Sequence, residues 1–327
     1  MSDLTIKIFE LINQKKSINE ITETLNISRK KLYSILRQVK LQGYDIDRKY
    51  YYNGDIVYKP RNTFLTYDGI NLITDKDDDT LNALLLSDLH LGSEYERIDK
   101  LNQAYDYCIK EGIHIIIICG DFIDGMFGPY KKHHSNIKEQ IDYAIEKYPF
   151  DKNIINFITF GDHDFEALQK YGINIATIME NYRHDIISLG YGFGQLNIKN
   201  DNIFVRHPAP IFNPIKLDAR KLNNRLILCG HSHCMKFNYQ PSNAIFDIPT
   251  LSDLPGNGIK RPPSAIHMTL EFKNGIILFG SFKHLIFDKN IYTISEFNYN
   301  LSTGKDISGN KPIQYEEYIQ KTKTLTP

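Results

Sequence analysis

Five short polar blocks, each set where an apolar run ends, constrain this chain more than anything else in it. They are Asp88-Leu-His90, Gly120-Asp121-Phe-Ile-Asp124, Gly161-Asp162-His163-Asp164, the single His207, and Gly230-His231-Ser-His233. The runs before them are 83–86, 115–119, 154–160, 203–205 and 226–229. Short runs rich in Ile and Leu suit strands buried on both faces. Sheets of that kind gather ligand sites at the carboxyl ends of their strands. The pattern predicts an α/β fold that brings the five blocks to one volume.

Carboxylate oxygens and neutral imidazoles are what hard and borderline divalent metals bind. In extended chain just after a strand, residues two apart project to the same side, so Asp88 with His90, or His231 with His233, can reach one ion. Gly120, Gly161 and Gly230 directly precede ligands, as a tight turn or close backbone approach requires. Any one of the 11 histidines is ordinarily a buried, hydrogen-bonded structural residue. Five of them in this order, all at strand ends, are not explained that way. Of the rest, His133 and His134 follow a Gly-Pro-Tyr-Lys-Lys loop and read as loop surface, with substrate contact as the alternative. His114, His184, His267 and His284 read as packing or surface residues. Arg206 could clamp a phosphate, but as a strand neighbour of His207 it is expected to point away.

The blocks resemble the calcineurin-like metallophosphoesterases, whose pattern is Asp-x-His, Gly-Asp-x-x-Asp, Gly-Asn-His-Asp/Glu, a single His, and Gly-His-x-His. The likeness runs from about residue 83 to 298. It implies a four-layer α/β sandwich, two mixed sheets flanked by helices, and two metal ions, manganese foremost, with iron, zinc or nickel as alternatives. By resemblance, Asp88, His90, Asp121 and His233 hold one ion. Asp121, Asp162, His207 and His231 hold the other, with Asp121 shared. His163 meets the phosphate and protonates the leaving group, Asp164 orients that imidazole, and Asp124 braces a ligand without binding metal. Position 162 departs from the pattern, carrying Asp where the family usually has Asn. Two divalent ions facing three carboxylates keep a net charge of +1, against +2 in the usual arrangement. The implied reaction is two-metal hydrolysis of a phosphoester.

The first sixty residues read as a separate unit. Thr5 to Gln14 has helical periodicity, Ser17 with Glu20 makes a capping box, and Ser28 opens a third helix ending near Gly43. Residues 44–59 alternate about Asn53-Gly54, a hairpin signal. Three helices and a hairpin resemble a winged helix-turn-helix, which would turn Arg29, Lys30, Lys31, Tyr33, Ser34 and Arg37 toward a DNA major groove. Residues 1–62 carry 12 Lys+Arg and 7 Asp+Glu, a net +5, so the remainder carries −5 beneath an overall charge of zero. A basic patch is the electrostatic footprint of nucleic-acid binding, and a dimerisation or docking module is the alternative.

These readings divide the chain into a head (1–60), a linker (61–80) with a short hairpin about Asp68-Gly69, a phosphoesterase domain (81–298) and a polar tail (299–327). Runs 266–272, 276–282 and 291–297 are expected to add antiparallel strands to the second sheet. Cys108, Cys119, Cys229 and Cys234 lack paired metal spacing, a reducing-compartment pattern. No apolar stretch reaches membrane-spanning length and no signal peptide opens the chain, so a soluble cytoplasmic protein without a membrane partner is expected. The leading expectation is a nuclease or nucleic-acid phosphodiesterase tethered to DNA by its head. Its rivals are a small-molecule or cyclic-nucleotide phosphodiesterase or phosphomonoesterase whose head makes protein contacts, and a DNA-bound regulator using the metal fold as a sensor.

Overall fold

The computed structural model describes residues 3–41, 46–51, 56–60, 69–73, 79–126, 133–134, 136–209, 226–240, 243–255, 261–301 and 305–306. Four apolar runs form parallel strands of one sheet: β4 (Thr80–Leu86), β5 (Ile115–Cys119), β6 (Ile155–Phe160) and, beyond the motif blocks, β7 (Ile186–Tyr191). Antiparallel β13 (Ser264–Lys273), β14 (Ile276–Phe287), β15 (Ile291–Asn300) and β16 (Lys305–Asp306) extend it from the edge of β4. The late apolar runs are antiparallel strands as expected, but they join this sheet and not the second, because β13 pairs with β4. The order is β16-β15-β14-β13-β4-β5-β6-β7.

The second sheet contains β8 (Phe193–Ile198), β9 (Asp201–Arg206), β10 (Leu226–Cys229), β11 (Lys236–Gln240) and β12 (Asn243–Asp247). Both motif-bearing runs here, β9 and β10, pair parallel. Every residue of β5 is buried because alternate side chains enter different cores. Ile115 and Ile117 meet Val205 and Leu228 between the sheets. Ile116 and Ile118 meet Leu101, Ile141 and Met179 beneath helices α4 (Ile98–Glu111), α5 (Ile137–Lys147) and α7 (Ile175–Tyr182). Helix α4 shows why its face is buried: Leu101, Ala104, Tyr105 and Cys108 recur at helical spacing, and left-handed Gly112 ends it. α6 (Asp162–Tyr171) begins directly after β6 and so carries one motif block on its first turn.

The amino-terminal elements are α1 (Asp3–Asn13), α2 (Ile18–Leu25), α3 (Arg29–Leu41) and an antiparallel hairpin of β1 (Ile46–Tyr51) and β2 (Ile56–Pro60). The Asn53-Gly54 turn lies outside the described residues. Ser17 and Glu20 exchange both bonds of a capping box, at 3.2 and 2.7 Å, and Ser28 Oγ accepts from Lys31 N at the start of α3.

This unit is not held by a linker alone. Strand β3 (Ile70–Ile73) pairs parallel with β1 on one side and with β8 on the other. The hairpin is thereby stitched into the second sheet, β11-β12-β10-β9-β8-β3-β1-β2. Ile70–Ile73 are thus a strand of this sheet; the first half of the hairpin expected about Asp68-Gly69 lies outside the described residues. Ile8, Ile12, Ile21 and Leu32 share one apolar cluster with Leu72 and Leu196 of the body. The carboxyl tail contributes β16; residues 307–327 lie outside the described residues.

Candidate metal centre

The four strands β4, β5, β9 and β10, with the first turn of α6, deliver all the expected ligands to one place. Asp121, Asp162, His207 and His231 bring ligand atoms within 4.8 Å of one another. Asp88, His90 and His233 form a second such group, and Asp121 joins His90 and His163 in a third. Asp121 therefore belongs to two of these groups, and His90 links it to the third. His207 Nε2 lies 3.2 Å from Asp121 Oδ2 and 3.0 Å from Asp162 Oδ1. His233 Nε2 lies 3.2 Å from Asp88 Oδ1, and His90 Nε2 lies 3.7 Å from Asp121 Oδ2.

The backbone departs from the extended geometry expected after each strand. Asp88, His90, Asp121, His231 and His233 all have φ between 46° and 71°. Side chains rarely adopt this left-handed conformation, which is costly outside glycine and concentrates at functional sites. Here it turns ligands two residues apart toward one centre. The surrounding ladder imposes it: Asp88 N donates to Gly120 O and His90 N to Asp121 O, both at 3.0 Å. Gly120, at φ 101°, lies so close to His207 that a Cβ would collide with the imidazole.

The second ring nitrogen of three ligands is fixed by a partner, which selects the tautomer that presents the other to a metal. His90 Nδ1 meets Asp124 Oδ1 at 3.2 Å. His207 Nδ1 meets the Cys119 carbonyl at 2.8 Å and His233 Nδ1 the Leu254 carbonyl at 3.3 Å. Asp124 thus touches the ring of a candidate ligand, His90. Ser87, which no motif singles out, donates its hydroxyl to Asp88 Oδ2 and packs against Cys119 O. A serine ending an apolar strand beside a ligand was the available signal. The Leu254 carbonyl left none.

Asp164 has a different place from the one expected. Its oxygens accept from Phe122 N, Ile123 N and Gly161 N at 3.0, 2.9 and 2.8 Å. It ties the turn after β5 to the turn before α6, while the imidazole of His163 is held through Nδ1 by the Asp124 carbonyl. Burial, reinforced by Asp121, pushes the Asp164 carboxyl up to about 7 against those three donors.

Electrostatics elsewhere in the cluster follow from packing acids against imidazoles. Burial alone would raise the Asp88 carboxyl, but His233 beside it, with His207 and His90, holds it below the usual carboxylate range. Asp162 is likewise opposed by burial and lowered by His207 and His231. Burial depresses His90.

Do these residues fit metal ions? Asp88 Oδ1, His90 Nε2 and Asp162 Oδ1 are buried without a hydrogen-bond partner among the described residues. Leaving buried polar atoms unpaired is costly, and here all three belong to the clusters above. The donor set, carboxylate oxygen with imidazole nitrogen, suits manganese, iron or zinc. Within the group, His163 and His231 are more open than the wholly buried His90 and His207, with side chains 18% and 39% exposed.

The amino-terminal candidates lie elsewhere. Tyr33 is buried and stacks on His184, ring centres 3.4 Å apart. Arg29 donates to the Lys152 carbonyl at 3.1 Å and to Asn19. Lys30, Lys31 and Ser34 are exposed, and the side chain of Arg37 lies outside the described residues. His133 approaches Glu96 at 3.5 Å, and His134 packs on Tyr143. All four cysteines are buried and unpaired. No described helix is long and apolar enough to cross a membrane.

A family model described as calcineurin-like phosphoesterase matches residues 81–235. No curated protein matches the chain. Among solved structures, an archaeal phosphodiesterase is similar at 13% identity and TM-score 0.42, covering 63% of this chain and 100% of its own. Yfce, a phosphoesterase from E. coli, is similar at 16% identity and TM-score 0.43, covering 66% and 98%. Vps29 from Chaetomium thermophilum is similar at 12% identity and TM-score 0.42, covering 67% and 98%. The matched segment spans β4 to β10 and includes every ligand named above. The chain carries a calcineurin-like phosphoesterase domain and is a metal-dependent phosphoester hydrolase.

Proposed function

We propose that the substrate is a phosphodiester within a nucleic-acid strand. The observation that carries this reading is Asp162, a third carboxylate within ligand distance of His207. Two divalent ions among three carboxylates keep a net +1, which attracts a doubly charged monoester less than a +2 site would. A singly charged diester loses less. Asp88, His90, Asp121 and His233 would hold one ion, and Asp121, Asp162, His207 and His231 the other. When bound, the pair would lower the pKa of water and neutralise phosphate charge. His163 holds the proton for the leaving oxygen: its Nδ1 is tied to Asp124 O, which reserves Nε2 for substrate. Asp164 keeps the turn that positions this imidazole. Exposed Lys30 and Lys31 on the basic head supply the cationic surface for a strand.

A second reading, a small-molecule or cyclic-nucleotide phosphodiesterase, is favoured by the use α3 makes of Tyr33 and Arg29, which engage the body. Manganese-dependent hydrolysis of bis-p-nitrophenyl phosphate, p-nitrophenyl phosphate, single-stranded DNA and duplex DNA separates the two. The nucleic-acid reading expects DNA cleavage that Asp88→Ala abolishes and Lys30→Glu/Lys31→Glu weakens. Turnover of small diesters alone, indifferent to the lysines, would transfer the assignment to the second reading. Asp162→Asn should shift preference toward the monoester; an unchanged ratio removes the charge argument.

A further inference from the structure

Where α3 meets the body, the fold leaves a cavity of about 510 Å³. Its position separates it from the metal centre. It opens beside Ile154 and Ile155 at the amino end of β6, whereas the metal ligands follow the carboxyl end of that strand. Six strand residues span roughly 20 Å. The size falls within the range of small-molecule sites, and junctions between units are a preferred place for them.

The walls are aromatic and the rim is cationic. Phe150 and Tyr182 line the cavity yet remain 60% and 66% exposed, a large apolar area that packing does not use. Beneath them Arg183 is buried and wholly committed to structure. It donates to both oxygens of Asp185 and to the carbonyls of Tyr148 and Pro149, and lies 5.1 Å from the Tyr148 ring centre and 5.8 Å from that of Phe150. The 148–150 segment is therefore fixed, and Phe150 is presented on a rigid floor. Arg29, Lys30 and Lys152 stand around the opening. Of the two acids present, Asp185 is neutralised by Arg183 and Glu146 pairs with Lys147 at 2.7 Å. The three rim cations are left in excess.

Exposed aromatic faces beside uncompensated cations match one ligand chemistry closely: a flat base that stacks, attached to a phosphate that seeks positive charge. We infer that this cleft binds a nucleotide, with its base against Phe150 and Tyr182 and its phosphate toward Lys30 and Lys152. The site is independent of what the metal centre hydrolyses. It would serve a nuclease as a holding point for the strand, and a small-diester enzyme as a separate nucleotide site.

The test is fluorescence anisotropy of the full-length protein with a labelled ten-thymidine single strand, with competition by deoxyadenosine monophosphate and by inorganic phosphate. Saturable binding is expected, weakened about tenfold or more by Phe150→Ala/Tyr182→Ala, since each stacked base contributes on that order. Lys30→Ala/Lys152→Ala should also weaken it and reduce its salt dependence. With metal withheld, so that the metal centre neither holds nor cuts the strand, Asp88→Ala should leave it unchanged. Both aromatic side chains are largely exposed, so the double variant should fold, which circular dichroism checks. Competition by the monophosphate identifies a single-nucleotide site; its absence, with strand binding intact, identifies a site that tracks the strand. No binding, binding indifferent to the aromatic pair, or binding lost with Asp88→Ala each overturns the inference. Hydrolysis of bis-p-nitrophenyl phosphate by the same preparations keeps that outcome distinct from a failure of the metal centre.

Discussion

Asp124 and Asp164 are three and two residues from other acids of the cluster, yet they do different work because of what they accept. Asp124 takes its hydrogen bond from a ligand imidazole, His90, so its removal frees the ring to rotate. Asp124→Ala is expected to weaken metal affinity about 10–100-fold, as loss of such partners typically does, measured by competition with a chelating dye. Asp164 takes three main-chain N–H groups. Asp164→Ala strands those donors in a buried place, and unfolding in urea should show a loss of about 1–3 kcal/mol or more. A mainly catalytic role would instead lower turnover with stability intact. His163→Ala removes the proton donor and should cost about 10²–10⁴-fold in turnover while metal content stays at the wild-type value.

At the scale of elements, the centre depends on strand ends that leave the sheet in left-handed turns. Gly230 shows how little room they have: a Cβ there would collide with the Cys119 carbonyl. Gly230→Ala should displace β10 from β5 and lower both thermal stability and metal content, a pairing that distinguishes it from a surface change. Much of this level was legible in the sequence. Ile115–Cys119 and Leu226–Cys229 coincide with β5 and β10 because uninterrupted apolar runs bounded by glycine have few alternatives. The ligand grouping was legible for the same reason, since each block is anchored to one strand end. Three things were not. The left-handed φ of Asp88 and His90 is held by main-chain bonds to Gly120 and Asp121 in the turn after β5, which no local pattern encodes. Two of the three main-chain partners of Asp164 lie 41 and 42 residues away. Strand β3 is four residues long, and its role comes wholly from what it pairs with on either side.

For the whole molecule, the consequence of β3 is that head and body share one sheet and one apolar cluster. Tyr33→Ala removes the stack on His184 and should release α3 to limited proteolysis while the metal centre keeps its ions. Stability should also depend on pH through His284, buried on β14 with neither ring nitrogen hydrogen-bonded among the described residues. Burial pushes its pKa down to about 4 from an ordinary value near 6.5. The unfolded chain therefore takes up the proton first, and the contribution, about 3 kcal/mol at most, is complete above pH 6.5 and lost as pH falls toward 4. His284→Leu should flatten that part of the profile. Above these dependences stands the claim that one carboxylate, Asp121, joins two ion sites, and the metal stoichiometry of the purified chain tests it most directly. After dialysis against manganese, elemental analysis should find two ions per chain in the wild type, a loss confined to one in His233→Ala, and a loss of both in Asp121→Ala. A wild-type chain that binds one ion or none, or an Asp121→Ala variant that keeps two, would contradict the two-metal centre.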